Sequence, residues 1–250
     1  NKEVTAPNAD TLYTLAWLDV TKEPWVLSLP DMQDRYFLMP MLSGWTDVFQ
    51  VPGKRTTGTK AQTYAITGPN WKGTLPPGLT EYKSPTGMVW ILGRIYCTGT
   101  PADFKAVHAL QDQCKLVPLS HYGKAYTPPT GQVDPKIDMK TPVREQVNGM
   151  DAGTYFKLLA ALMKDNPPAV ADAPIVAKMA KIGIIPGQDF DMSKLDPAAA
   201  KALQGMVKPA QEKIMSQMQV GGSVNVNGWS YRTKGVGIYE TDYLQRAFIT

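Results

Sequence analysis

Met88-Val-Trp-Ile-Leu-Gly-Arg-Ile-Tyr-Cys97 is the longest apolar run in the chain. Its β-branched and aromatic content reads as a central strand. Strand alternation puts Trp90, Leu92 and Arg94 on one face, and Val89, Ile91, Gly93 and Ile95 on the other. A guanidinium inside such a run needs an opposite charge, because an unpaired buried cation is costly. Asp10 and Asp47 are the carboxylates expected to meet Arg94.

Working outward, residues 11–20, 25–29, 35–39, 45–51 and 63–67 also read as strands. Pro30-Asp31, Pro52-Gly53 and Gly68-Pro69 punctuate them. Short strands roughly 8–15 residues apart predict a sandwich or a partly closed barrel, not a βαβ sheet. The period changes at Thr100-Pro101-Ala-Asp103, which is an N-cap, a proline at N1 and an acidic N3. The helix that follows is expected to place Phe104, Val107, His108 and Gln111 on one face and to stop at Pro118. Residues 123–142 hold four prolines and little apolar content, and read as an extended linker.

Helices dominate the remainder. Asp151 caps a helix carrying Tyr155, Phe156, Leu159, Leu162 and Met163, and Asp172 opens another that Gly183 closes. Asp196-Pro197 caps a further stripe through Leu203, Met206, Val207, Ala210, Ile214 and Met218, which Pro209 should kink or split. Gly221-Gly222 is expected to end the helical part. Asn227-Gly228 signals a type I′ hairpin within residues 224–232, and residues 239–250 look helical.

At 250 residues the chain can bury a core in one large or two small domains. Its 43% apolar and 19% charged content is ordinary for a globular protein, while 21 Pro and 21 Gly imply many turns. The net charge is only +4 and no run of five or six basic residues occurs, so nucleic-acid binding is not indicated. No apolar run approaches the roughly 18 residues of a membrane span. The chain begins at Asn1 with a segment that reads like the middle of a domain, so a removed leader or an earlier segment is expected. Cys97 and Cys114 are too few for a disulfide framework; two buried thiols and a single bridge both remain open.

Catalytic signatures are missing. The sequence contains no G-x-S-x-G, H-E-x-x-H, Walker or C-x-x-C motif. Gly235-Val-Gly237 starts like a dinucleotide fingerprint, but Glu240 stands at the third glycine position and would repel a pyrophosphate. Asp189-Phe-Asp191-Met-Ser193 has the spacing of a calcium loop's first three ligands, but Lys194 replaces its glycine and Ala200 its bidentate Glu, so helix capping is the expected role. His108 reads as a core-edge histidine, and Ser120-His121 are adjacent residues that rarely face each other. Neither a metal site nor a cofactor is implied.

The notable feature is a set of polar residues embedded in the β part. Asn8, Asp10, Arg35, Asp47, Arg55 and Arg94 are interleaved with Tyr13, Tyr36, Trp45, Trp71 and Trp90. One reading is an ion-pair network that fixes the sheet. The other is a pocket where arginines and aromatics bind an anionic or sugar-like ligand.

Pro7-Asn-Ala-Asp-Thr-Leu-Tyr13, Gly53-Lys-Arg-Thr-Thr-Gly58, Gly68-Pro-Asn-Trp71, Gly93-Arg94, Gly183-Ile-Ile-Pro-Gly187 and Asp242-Tyr-Leu with Arg246 run in one order over nearly the whole chain. In these motifs the chain resembles the bacterial family whose two domains are catalogued as domains of unknown function 1254 and 1214. Gln62 and Gly44-Trp45 depart from that pattern. The resemblance implies an α+β protein of the cell envelope, periplasm or exterior. It would have an N-terminal Ig-like antiparallel β-sandwich, a helical region, and a C-terminal jelly roll missing or barely begun in this chain.

The expected organisation is a β domain with one helix over 1–122, a Pro-rich linker over 123–150, helices over 151–220 and the start of a second β domain over 221–250. The expected function is binding of a small molecule or polymer fragment at an arginine and aromatic surface. Candidate contacts are Asn8, Asp10, Tyr13, Arg55, Trp71, Trp90, Arg94 and Arg246. Two alternatives are a hydrolase-like enzyme with catalytic groups partly outside this chain, and an assembly module that forms a homo-oligomer through sheet edges or the helical arm.

Overall fold

The apolar run forms strand β8 (Met88–Tyr96), and it pairs antiparallel with β1 (Thr11–Asp19) over the full length of both. The structure is a computed structural model that describes residues 8–132, 134–216, 223–232 and 240–249. The chain divides into two compact units, Asn1–Gln132 and Val133–Thr250.

In the first unit β8 is the hub of a five-stranded antiparallel sheet. Its other partners are β3 (Phe37–Leu38) and β4 (Met41–Ser43), and β4 pairs in turn with β5 (Val48–Gln50). A four-stranded sheet has the order β7 (Thr80–Lys83), β6 (Gln62–Thr67), β2 (Trp25–Leu29) and β9 (Lys115–Pro118). The β6–β7 pair is parallel, so this sheet is mixed and departs from the expected all-antiparallel arrangement. Both sheets feed one core: Leu18, Val89, Ile91 and Ile95 come from the first, and Leu27, Leu29, Tyr64 and Ile66 from the second. The even residues of β1 and the odd residues of β8 face this core, as their alternation predicts.

Gly93 makes close packing possible at the centre. A Cβ there would run into Met39 Sδ and lie 2.9 Å from the Thr14 carbonyl. Helix α1 (Pro101–Gln111) starts as its sequence predicts, with the Thr100 hydroxyl accepting from Asp103 N–H at 3.2 Å. It ends earlier than expected. Residues 115–118 leave the helix and pair with β2, where Val117 opposes Val26. His108 is exposed, with Nδ1 3.0 Å from Gln111 Oε1, rather than lying at the core edge. Cys97 is buried and Cys114 half-buried, and both thiols are free.

The second unit holds the helices. Within the expected linker, α2 (Val143–Asn148) forms after Pro142. Helix α3 (Ala152–Leu162) is capped by Asp151, which accepts from Thr154 N–H at 3.0 Å. Helix α4 (Ala173–Ala180) follows Asp172, whose carboxylate accepts from Ala169 N–H at 3.0 Å and from Tyr243 Oη at 2.9 Å. The Pro209 stripe is split into α5 (Pro197–Gly205) and α6 (Val207–Met215). The break falls at Met206, which leaves Pro209 in the first turn of α6, where its missing N–H costs nothing. Asp191 accepts from Ser193 N–H at 3.0 Å and caps a short turn. The hairpin of β10 (Ser223–Val226) and β11 (Trp229–Arg232) turns at Asn227 and Gly228, whose φ values of 52° and 80° fit the type I′ expectation. Helix α7 (Tyr243–Ile249) lies within the stretch expected to be helical, while the Gly221-Gly222 and Gly235-Val-Gly237 readings fall outside the described residues.

Candidate functional site

The outward face of the five-stranded sheet gathers most of the expected residues. On β1 the odd residues point away from the core, and Tyr13, Leu15 and Trp17 are 37%, 57% and 65% exposed. The register sets Tyr13 opposite Arg94, Leu15 opposite Leu92 and Trp17 opposite Trp90. The two indoles stack with ring centroids 4.9 Å apart and planes 2° from parallel. The Arg94 guanidinium lies 4.8 Å from the centre of the Tyr13 ring.

This corrects the expectation for Arg94. It forms no ion pair among the described residues, and Asp10 is exposed with its carbonyl accepting from Cys97 N–H at 2.9 Å. The reason is register. Arg94 sits on the half-exposed outer face, where water and a ring face both solvate the cation, so no buried carboxylate is required. The ion pair that ties the sheet to its helix is made by Arg35 and Asp103 instead, at 2.7 Å.

Asn8 supports the same face from below the strand start. Its Oδ1 accepts from Thr11 N–H at 2.8 Å and Thr11 Oγ1 at 2.6 Å, while its Nδ2 donates to Tyr13 Oη at 2.6 Å. The Asn-x-Asp-Thr cluster is therefore an Asx-type strand cap that also orients the Tyr13 phenol.

A second arginine reaches this face through β3. Leu38 stands opposite Arg94, and Tyr96 N–H donates to the Tyr36 carbonyl at 2.9 Å, which continues the register to Tyr36 opposite Tyr96. Arg55 lies over the Tyr36 ring at 5.2 Å. The face thus runs from the Trp17–Trp90 stack, past Arg94 on Tyr13, to Arg55 on Tyr36 beside the exposed Tyr96.

Two expected contacts lie elsewhere. Trp71 is in the loop between β6 and β7, with its ring against Gly73; a Cβ on that glycine would be 2.6 Å from the indole. Arg246 is on α7 in the second unit, donating to the Glu240 carbonyl at 2.9 Å. Trp17 is the member of the face that residue types alone did not single out. Its odd position in β1, in phase with Tyr13, was the available signal.

The second unit carries a separate apolar cavity of about 570 Å³. Met150, Phe156, Leu159, Leu203, Met206 and Ile214 are among its lining residues. At its rim Gln211 Nε2 donates to the Asn148 carbonyl at 2.9 Å. Ser120 and His121 do not form a catalytic pair, because Ser120 Oγ is 3.2 Å from Glu23 Oε1 and the His121 ring stands 5.0 Å from Tyr126.

A two-sheet unit with a solvent-facing aromatic and arginine surface, joined to a helical unit, is the class of protein these features define. Residues 1–118 match the family model described as Protein of unknown function (DUF1254). The fold of the chain is similar to the crystal structure of the VPA0106 protein from Vibrio parahaemolyticus, with a TM-score of 0.68 at 23% identity. That match covers 98% of this chain and 56% of VPA0106, so the chain spans little more than half the length of this relative. Among curated proteins none matches. Among the described residues no helix is long and apolar enough to cross a membrane.

Proposed function

We propose that the outer face of the five-stranded sheet binds an anionic, ring-bearing small molecule or polymer fragment, such as a stretch of acidic polysaccharide. The observation that carries this reading is the parallel stack of Trp17 on Trp90, with Trp17 65% exposed, in line with two guanidinium groups held over tyrosine rings. An exposed indole offers a flat apolar surface to the face of a sugar ring. A guanidinium already ordered on an aromatic ring loses less freedom when it takes a carboxylate. In the same reading the first unit is an Ig-like sandwich of a protein acting in the cell envelope or outside the cell. Domain 1214 would belong to the longer protein, which accords with the partial coverage of VPA0106.

The probes are a uronic-acid oligosaccharide and a neutral oligosaccharide of equal length, titrated against tryptophan fluorescence. The acidic probe is expected to give saturable quenching. Trp17→Ala and Arg94→Ala should each weaken it about tenfold, the equivalent of 1.4 kcal/mol, with little change in the urea midpoint. A folded wild-type protein that shows no saturable response to either probe ends this reading.

A further inference from the structure

The free edge of β1 is capped at both flanks and open in the middle, and that pattern is self-complementary. β1 is an edge strand whose only partner among the described residues is β8. Cys97 N–H donates to the Asp10 carbonyl at 2.9 Å and Val20 N–H to the Gly87 carbonyl at 2.8 Å, so the even residues of β1 bond to β8. Leu92 and Tyr96 N–H turn the other way, to the Pro40 and Tyr36 carbonyls. The odd residues of β1 therefore aim their backbone groups at the open edge.

Both flanks of that edge are partly blunted by the protein itself. Thr11 N–H is taken by Asn8 Oδ1 at 2.8 Å, the Tyr13 carbonyl by Gln111 Nε2 at 2.9 Å, and the Asp19 carbonyl by Trp25 Nε1 at 3.0 Å. Between these caps stand the N–H and C=O of Leu15 and Trp17 and the N–H of Asp19, with no partner among the described residues and no Pro, Lys or bulge to protect them.

We infer that β1 is a pairing edge for a second copy of this chain. One antiparallel register pairs all four backbone groups of Leu15 and Trp17 in each copy. It sets Leu15 opposite the second copy's Trp17, twice, around an axis at Ala16. In this register the capped Tyr13 and Asp19 carbonyls stand outside the Leu15 and Trp17 pairs, whereas a shifted register moves Leu15 or Trp17 onto one of them. The same register sets Asp19 of one copy opposite the second copy's Tyr13, over which Arg94 lies. Asp19 and Arg94 both project on the outer face, so an anion of each copy meets a cation of the other that forms no ion pair among the described residues of its own chain. Leu15 and Trp17, the most exposed apolar residues of the strand, come together at the seam. This inference stands on the edge geometry and not on the ligand reading above.

Sedimentation velocity over a wide concentration range tests it with the whole chain. A reversible dimer is expected, with Leu15 and Trp17 amides that gain hydrogen-exchange protection as concentration rises. Leu15→Pro removes one edge N–H and should weaken the dimer at least about tenfold. Asp19→Arg and Arg94→Asp should each weaken it, and the two together should restore it. Restoration by the charge swap is an outcome that no folding defect produces. A monomer at every concentration, a dimer whose Leu15 and Trp17 amides exchange freely, or a double variant no better than the singles would overturn the inference.

Discussion

Arg35 and Asp103 form a two-point ion pair between the strand β3 approach and the first turn of α1. Arg35 Nη2 lies 2.7 Å from Asp103 Oδ1 and Nη1 3.2 Å from Oδ2, and Nη1 also donates to the Tyr96 carbonyl at 2.8 Å. Asp103 accepts in addition from Thr98 N–H at 2.7 Å. One carboxylate thus serves as ion-pair partner, turn cap and N-terminal helix anion.

The first prediction concerns acid. The Arg35 guanidinium, aided by Thr98 N–H, holds the Asp103 carboxyl down to about 2. A carboxyl lower in the folded state than in the unfolded chain contributes stability that is fully present above pH about 4 and is lost as pH falls toward about 2. Urea midpoints measured across that window should fall less steeply for Arg35→Ala than for the wild type. The variant should also be the less stable of the two at pH 7. Parallel slopes would remove the pair from the account.

Gly93→Ala probes the centre of the sheet. The added methyl has the Thr14 backbone carbonyl at 2.9 Å and the buried Met39 sulfur in its way. Overpacking of this kind costs about 1–3 kcal/mol, to be read as a lowered ΔG of urea unfolding. An unchanged value would show that β1 and β8 can separate without cost.

Thr46 gives a prediction of opposite sign. It is a β-branched residue at φ 65° in the turn between β4 and β5. The left-handed region is sterically costly for such a side chain. Thr46→Gly should raise stability by about 0.5–1 kcal/mol, net of the lost hydroxyl bond and the freer unfolded chain. Thermal unfolding at neutral pH checks it.

The cysteines offer a chemical check. Both are free, and burial pushes the Cys114 thiol up to about 11. Mass spectrometry without reductant should therefore find two thiols. Alkylation of Cys114 in the native protein should be slow at pH 7 and accelerate as the pH approaches 11, because the thiolate is the reacting form. Rapid labelling at pH 7 would mean that the α1–β9 corner opens readily.

How much of this was legible in the sequence follows from range. The faces of β1 and β8 were readable because alternation is local, and so was the Thr100 cap. The strands β4, β7 and β9 were not, because three or four residues carry too little periodicity and their pairing partners lie far along the chain. The partner of Arg94 failed for the same reason: which β1 residue stands opposite is set by register, and register is not written in either strand alone. Trp17 was in plain view as an apolar strand residue, yet its stack on Trp90 exists only once Leu18 and Val89 have aligned the pair. The apolar cavity needs several helices at once, so no single stripe announces it.

The pairing of Thr11 with Tyr96 also has a consequence in time. β1 emerges from the ribosome well before its partner β8 is completed. At about 5–20 residues per second, residues 11–19 wait on the order of 4–15 s for residues 88–96. Throughout that interval Leu15 and Trp17 have no β8 beside them, and the sheet cannot close until this non-local contact is made. β1 is thus open to mispairing while it waits, and truncation before β8 leaves it without the partner described here.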